Sequence, residues 1–202
     1  MEDEIPALDW LHLPEGARTT SLWDSLHDGN LLVLTSDRLE RSIRLEFDVP
    51  YLRDFHHLPV TLRFVLLLDG VKSARIDKSV MWPGDDPILD GASFEEQRRL
   101  VKEYQSKWRN ESSSWSAFEA GLTSEKIDVE VSDATLAERN GREFALKMII
   151  KIDDATFHVV NFRMEGFTLL RSDGVDFGVE KFLALGAEYW EAFAKRRGRQ
   201  ST

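Results

Sequence analysis

The sequence predicts an α+β protein built mainly of antiparallel meander sheet and carrying two amphipathic helices. Several segments alternate strictly between apolar and polar residues, the pattern of a strand with one buried face. Acidic-Gly and Asn-Gly pairs stand between those segments, where tight turns belong. Two longer stretches space their apolar residues at helical intervals instead.

The elements follow in order. Residues 1–28 read as an irregular lead-in. Pro6, Pro14 and Gly16 break a helix there, while Trp10, Leu11, Leu13, Leu22 and Trp23 can pack on the main body. Strand signals begin at Asn30 with the apolar run Leu31 to Leu34. After Thr35-Ser36-Asp37, residues Ile43, Leu45, Phe47 and Val49 point one way and Ser42, Arg44, Glu46 and Asp48 the other. Pro50 to Pro59 interrupts. Val60, Leu62, Phe64, Leu66 and Leu68 then form a third strand, Asp69-Gly70 a tight turn, and Val71 to Asp77 a fourth strand.

Residues 82–92 read as a loop. Ser93 suits an N-cap, and Glu95 and Glu96 favour the first turn of a helix dipole. Phe94, Val101, Tyr104 and Trp108 extend that helix over residues 94–109, and Trp115, Phe118 and Leu122 imply a further helical turn or packed loop. A second strand set begins at Ile127. Asn140-Gly141 is the clearest hairpin signal, because both residues accept positive φ. Phe144 to Ile152, Thr156 to Met164 and Phe167 to Arg171 follow, separated by Asp153-Asp154 and Glu165-Gly166. The chain closes on an amphipathic helix over residues 178–196, with the stripe Val179, Phe182, Leu183, Gly186, Tyr189, Trp190 and Phe193. Its basic end is followed by Gly198 as a stop.

The two strand sets match at a spacing of 96 positions. Val33 corresponds to Val129, Asp69-Gly70 to Glu165-Gly166, Arg75 to Arg171 and Asp77 to Asp173. A (ββββα)×2 duplication is one account, with residues 29–110 and 111–202 as halves of one compact unit. That any two antiparallel meanders share such turns is the other.

The 202 residues carry a formal net charge of −10. Such an acidic balance argues against a nucleic-acid surface and would attract a basic protein partner. The absence of cysteine excludes disulfides, thiolate metal sites and cysteine nucleophiles. The acidic start lacks the features of a secretory signal, and no apolar run is long enough to span a membrane, so a cytoplasmic location is expected. No phosphate loop, nucleophile elbow or metal-ligand spacing is present. The sequence therefore assigns no catalytic residue, cofactor or metal.

The residues that could carry chemistry are few. His27-Asp28 could open a metal site, although Asp28-Gly29 before a strand is equally a turn. His56 and His57 could offer imidazoles to an ion, but neighbours in a strand diverge, so loop histidines are the plainer reading. Arg75 and Arg171 could form a pseudo-symmetric anion clamp, or each could pair with a nearby acid such as Asp77 or Asp173. Asp85-Asp86 and Asp153-Asp154 read as solvated turns. Tyr189, Trp190 and Phe193 suit core packing, or a homodimer surface if helix 178–196 projects.

Trp23-Asp24, His27-Asp28, the Arg44-Leu45-Glu46-Phe47 strand and Arg63-Phe64 leading to Gly70-Val71 give residues 23–76 a familiar outline. It resembles that of small bacterial immunity-like proteins, which neutralise partner toxins. The resemblance implies a non-enzymatic protein-interaction role. The alternative is a small-molecule binder or hydrolase with its site in a cleft between the two halves.

Overall fold

The computed structural model describes residues 18–78, 93, 95–96, 99, 112–113, 115–124, 127–139, 141–152 and 156–200. Among these residues ten strands make one antiparallel sheet, and four helices are complete. They are β1 (Arg18–Ser21), α1 (Trp23–Leu26), β2 (Gly29–Asp37), β3 (Ser42–Asp48), α2 (Pro50–Phe55), β4 (Phe64–Asp69), β5 (Ser73–Lys78), β6 (Ser112–Ser113) and α3 (Trp115–Thr123). Then come β7 (Val129–Arg139), β8 (Glu143–Ile152), β9 (Thr156–Met164), β10 (Gly166–Arg171) and α4 (Val179–Gln200). The α+β class and the antiparallel sheet are as the alternation predicts.

Strand order is where the structure departs from a meander. Neighbours run β10-β4-β3-β2-β7-β8-β9-β5-β6, with β1 pairing separately against β7. Within each half the first three strands are a meander, but the fourth joins the sheet of the other half. Setting the short strands β1 and β6 aside, the order reads the same in reverse under exchange of β2–β5 with β7–β10. The halves meet through Gly29↔Val131 and Asn30↔Glu130, and each joining strand carries an irregularity beside that junction, after Leu31 in β2 and after Val131 in β7.

The other junction explains why the acidic-Gly turns are not hairpins. Gly70 adopts φ 59°, which turns the chain without a Cβ penalty, but β4 and β5 do not pair with each other. Instead β4 pairs β10 and β5 pairs β9, so two bent ribbons run side by side through the bend. The Glu165 N–H donates to the Asp69 carbonyl (3.0 Å) and the Lys72 N–H to the Arg163 carbonyl (2.8 Å), carrying the ladder across it. The two turns that the repeat matches are thus each other's partners.

The core gathers the predicted faces. Ile43, Leu45, Phe47 and Val49 are buried, as are Leu146, Met148 and Ile150. They merge with Leu66, Leu136, Phe162, Leu169 and Phe182 into one cluster shared by both halves. At about 25 cal/mol per Å² of apolar surface removed from water, this shared cluster is the main source of stability. An apolar void of about 10 Å³ remains among Leu22, Leu26, Phe47, Leu66 and Phe182, at the lower limit for one water and too small for a ligand.

Several element boundaries differ from the sequence expectation. The lead-in ends in order, since β1 and α1 form before residue 28; residues 1–17 lie outside the described set. Pro50 does not merely interrupt but opens α2, where its fixed φ suits N1. The third strand starts at Phe64, leaving Val60 76% exposed. Thr35-Ser36-Asp37 belongs to β2, and β7 continues to Arg139. The β7–β8 register pairs Arg139 with Glu143, so three positions rather than two separate the paired ends of the strands, and Gly141 takes φ 66°; Asn140 lies outside the described residues. The last helix continues through Gly198 to Gln200, so Gly198 is not its stop. Of helix 94–109, only residues 95, 96 and 99 are described as helical, and the Glu96 N–H reaches the Ser93 Oγ at 3.4 Å as a cap should. The remainder of that helix and the pairs Asp85-Asp86 and Asp153-Asp154 lie outside the described residues.

Candidate functional site

Of the sequence candidates, His27, Asp28 and His56 lie where α1, α2 and α4 meet. α1 is only four residues long, and its position comes from tertiary contacts rather than from intrinsic helicity. Buried Ser25 donates its hydroxyl to the Phe182 carbonyl of α4 (2.8 Å). The Asp24 carbonyl accepts from both the Tyr51 hydroxyl and the Trp190 Nε1–H, each at 3.0 Å. These bonds satisfy an orphan carbonyl at a helix end. Gly186 makes the approach possible, since a Cβ there would stand 2.4 Å from the Asp24 oxygen and 2.4 Å from the Ser25 Oγ.

On this frame lies a continuous set of rings. His27 stacks on Trp23 (4.6 Å, 26°), and Trp23 stacks on Trp190 (5.0 Å, 28°). Trp190 meets Tyr189 and Phe193 edge-on at 5.1 and 5.6 Å. Tyr51 and Phe55 of α2 contact Tyr189, and Arg197 lies 4.9 Å over the Phe193 ring. All of these rings are half-buried, forming a shared surface rather than a sealed core. Edge-on and offset stacked contacts are the favoured aromatic arrangements.

Two carboxylates border the rings. Asp28 is 62% exposed at its side chain, and its backbone takes φ 58°, a conformation that Asp tolerates better than most residues. Its Oδ1 lies 3.3 Å from His27 Nε2, while the other ring nitrogen, Nδ1, is 2.9 Å from the Ser132 carbonyl. Among the described residues neither Asp24 nor Asp28 has a lysine or arginine in ion-pair contact. Burial, followed by the negative charge of Asp28, pushes the Tyr51 phenol well above its ordinary range, with Tyr189 and Asp24 adding to the rise. The hydroxyl therefore remains a donor to the Asp24 carbonyl.

Of the other sequence candidates, His56 borders the same junction, edge-on to Phe55 at 4.8 Å, while Arg75 and Arg171 sit elsewhere. His56 Nε2 is 2.9 Å from the Leu185 carbonyl, and Nδ1 is 3.8 Å from Glu188, so His56 fastens α2 to α4. His57 is exposed at φ 53°, and the two imidazoles do not converge. Arg171 donates to Asp173 at 2.7 Å, the local pairing that its sequence neighbour suggests. Arg75 is on β5 opposite Asn161. From the shared bend the two arginines run in opposite directions onto different half-sheets, so the geometry does not assemble an anion clamp. No group of three or more His, Asp or Glu side chains that could hold a metal occurs among the described residues. Among them, too, no helix is long and apolar enough to cross a membrane.

Two contacts escape sequence reasoning altogether. Glu119 of α3 accepts from both the Ser36 N–H (2.8 Å) and the Ser36 hydroxyl (2.7 Å), and Trp115 Nε1 reaches the same hydroxyl at 3.5 Å. The carboxylate thereby caps the β2 edge where β2 leaves β7, and a capped edge does not recruit stray strands. Asp48 pairs with Arg53 and with Arg63 (3.3 Å), pinning α2 and the following loop to β3. These partners are 83, 5 and 15 positions apart, with no periodicity to announce them.

No protein-family model, curated protein or solved structure matches the chain.

Proposed function

We propose that this chain is a non-enzymatic, cytoplasmic protein-interaction protein, and that its contact face is the aromatic and acidic surface formed by α1, α2 and α4. The observation that carries the reading is the half-buried set Trp23, His27, Tyr51, Tyr189 and Trp190 beside Asp24 and Asp28. Aromatic residues at a surface with polar tips are the composition of interface anchors. The immunity-like outline of residues 23–76 gives the reading its narrower form, a partner that is a toxin domain. The 96-position match and the symmetric strand order support an origin by duplication.

The small-molecule or hydrolase alternative requires a cleft between the halves. Here β2 pairs with β7, the fourth strands are exchanged, and side chains from both halves share one apolar cluster, so that boundary is occupied by core.

The test is site-specific photo-cross-linking from position 27 or 191, followed by reconstitution of the captured protein with the purified chain in a calorimeter. A stoichiometric complex, weakened when Trp23 is replaced by alanine in a protein that still melts cooperatively, is the expected result. A hydrolytic activity in the purified chain that is abolished by His27→Ala, with no reconstitutable complex, overturns the reading.

A further inference from the structure

We infer that the face built on Trp23, Trp190, Asp24 and Asp28 recognises lysine or arginine side chains presented by a basic segment of a protein partner. This deepens the interaction reading and rests on it. Three observations converge. The indoles of Trp23 and Trp190 are stacked and half-buried, and indole is the ring that holds a cation best. Two carboxylates stand beside them without lysine or arginine in ion-pair contact among the described residues; Asp28 lies 3.3 Å from the His27 ring, and Arg197 sits over Phe193 at the far end of the rings. Finally, the whole chain is strongly acidic, which draws a basic segment toward it before contact.

Position 28 points the same way. The backbone there is left-handed, where glycine is free of strain, yet the residue is an aspartate whose carboxylate faces solvent and the ring of His27. A cation arriving at Asp28 gains a direct counter-charge and an aromatic wall at once. A guanidinium suits the site particularly well, because it can donate to a carboxylate while its plane lies on an indole.

The probe is a hexa-arginine peptide, with hexa-glutamine as its neutral counterpart, titrated against the full chain by intrinsic tryptophan fluorescence and by calorimetry. Hexa-arginine binds and perturbs the emission, whereas hexa-glutamine does not. Asp28→Asn preserves a residue that accepts positive φ and removes one charge; it is expected to weaken hexa-arginine at least tenfold. Glu40→Gln, on the exposed β2–β3 turn, removes the same charge from elsewhere and is expected to change affinity less than twofold. Equal losses in the two variants would reduce the effect to general charge attraction and overturn the inference, as would a failure of hexa-arginine to bind. Should a cross-linked partner bind Asp28→Asn undiminished, the cation inference fails while the interaction reading stands. Tight, Asp28-dependent hexa-arginine binding without any reconstitutable partner would do the reverse.

Discussion

Replacing Gly186 by alanine tests the packing that builds the aromatic face. In an isolated helix the change stabilises, because alanine exceeds glycine in helix propensity by about 1 kcal/mol. Here the new methyl would sit 2.4 Å from the Asp24 oxygen, 2.4 Å from the Ser25 Oγ and 2.6 Å from the Asp24 carbonyl carbon. Two of those atoms are backbone, so α1 must move away from α4. Overpacking of this kind costs about 1–3 kcal/mol. Displacement also weakens the Ser25–Phe182, Tyr51–Asp24 and Trp190–Asp24 hydrogen bonds, each contributing about 1 kcal/mol. With the propensity gain subtracted, a net loss of about 2–4 kcal/mol follows. At roughly 2–4 °C per kcal/mol for a chain of this size, Tm should fall by about 4–16 °C. The assay is thermal and urea unfolding of Gly186→Ala beside Ala187→Gly, one position along on the exposed side of the same helix. The latter should lose only about 1 kcal/mol, the propensity difference. Unchanged or increased stability in Gly186→Ala would refute the proposed close approach of α1 to α4.

Other outcomes follow from the same contacts. Ser25→Ala removes a buried hydroxyl and should cost about 1–2 kcal/mol in urea unfolding, with Ser25→Val worse for its added bulk. The Tyr51 phenol is held above its unfolded value, so the folded state favours the neutral form. That contribution is complete below about pH 10, the unfolded value, and declines as pH rises beyond it. Urea unfolding between pH 8 and 11 should therefore show an alkaline loss of stability that is smaller in Tyr51→Phe. Glu119→Ala deprives the Ser36 amide and hydroxyl of their acceptor; the Ser36 amide should exchange faster by about tenfold, and Glu119→Gln, which retains one acceptor, should restore part of the protection. Asp48→Ala leaves Arg53 and Arg63 facing each other at the α2–β4 corner and should destabilise by about 1–3 kcal/mol, whereas Arg44→Ala, in a more solvent-accessible pair, should cost under about 1 kcal/mol.

Much of the sheet was legible in the sequence because alternation is a local property. Ile43, Leu45, Phe47 and Val49 announce their face within seven residues, and Leu146, Met148 and Ile150 do the same. The α4 stripe is equally local: Phe182 and Gly186 are buried and its other members are half-buried. Short elements were harder. α1 has four residues and α2 six, too few to repeat a helical period, and each is stabilised by distant partners: Phe182 and Trp190 for α1, Leu185 for α2. Of the candidate site, His27 and Asp28 were visible as a pair and Trp190 as core or dimer surface, but Trp23 read as packing on the main body and Tyr51 lay in an interruption with no pattern of its own. What sets them at the surface is the depth to which α4 docks, fixed by the missing side chain at Gly186.

The amino-acid order alone determined which residues face the interior in the alternating strands β3 and β8, where the chain must turn, that the last helix is amphipathic, and that thiol chemistry is excluded. Each depends on side chains a few positions apart, or on composition. Tertiary structure decided that Asp69-Gly70 and Glu165-Gly166 are bends rather than hairpins, that the fourth strands are exchanged between halves, and that His27, Trp23, Trp190 and Asp28 share one face. A strand carries the same two-residue rhythm whichever neighbour it pairs with. Only the shared burial of both halves selects between partners.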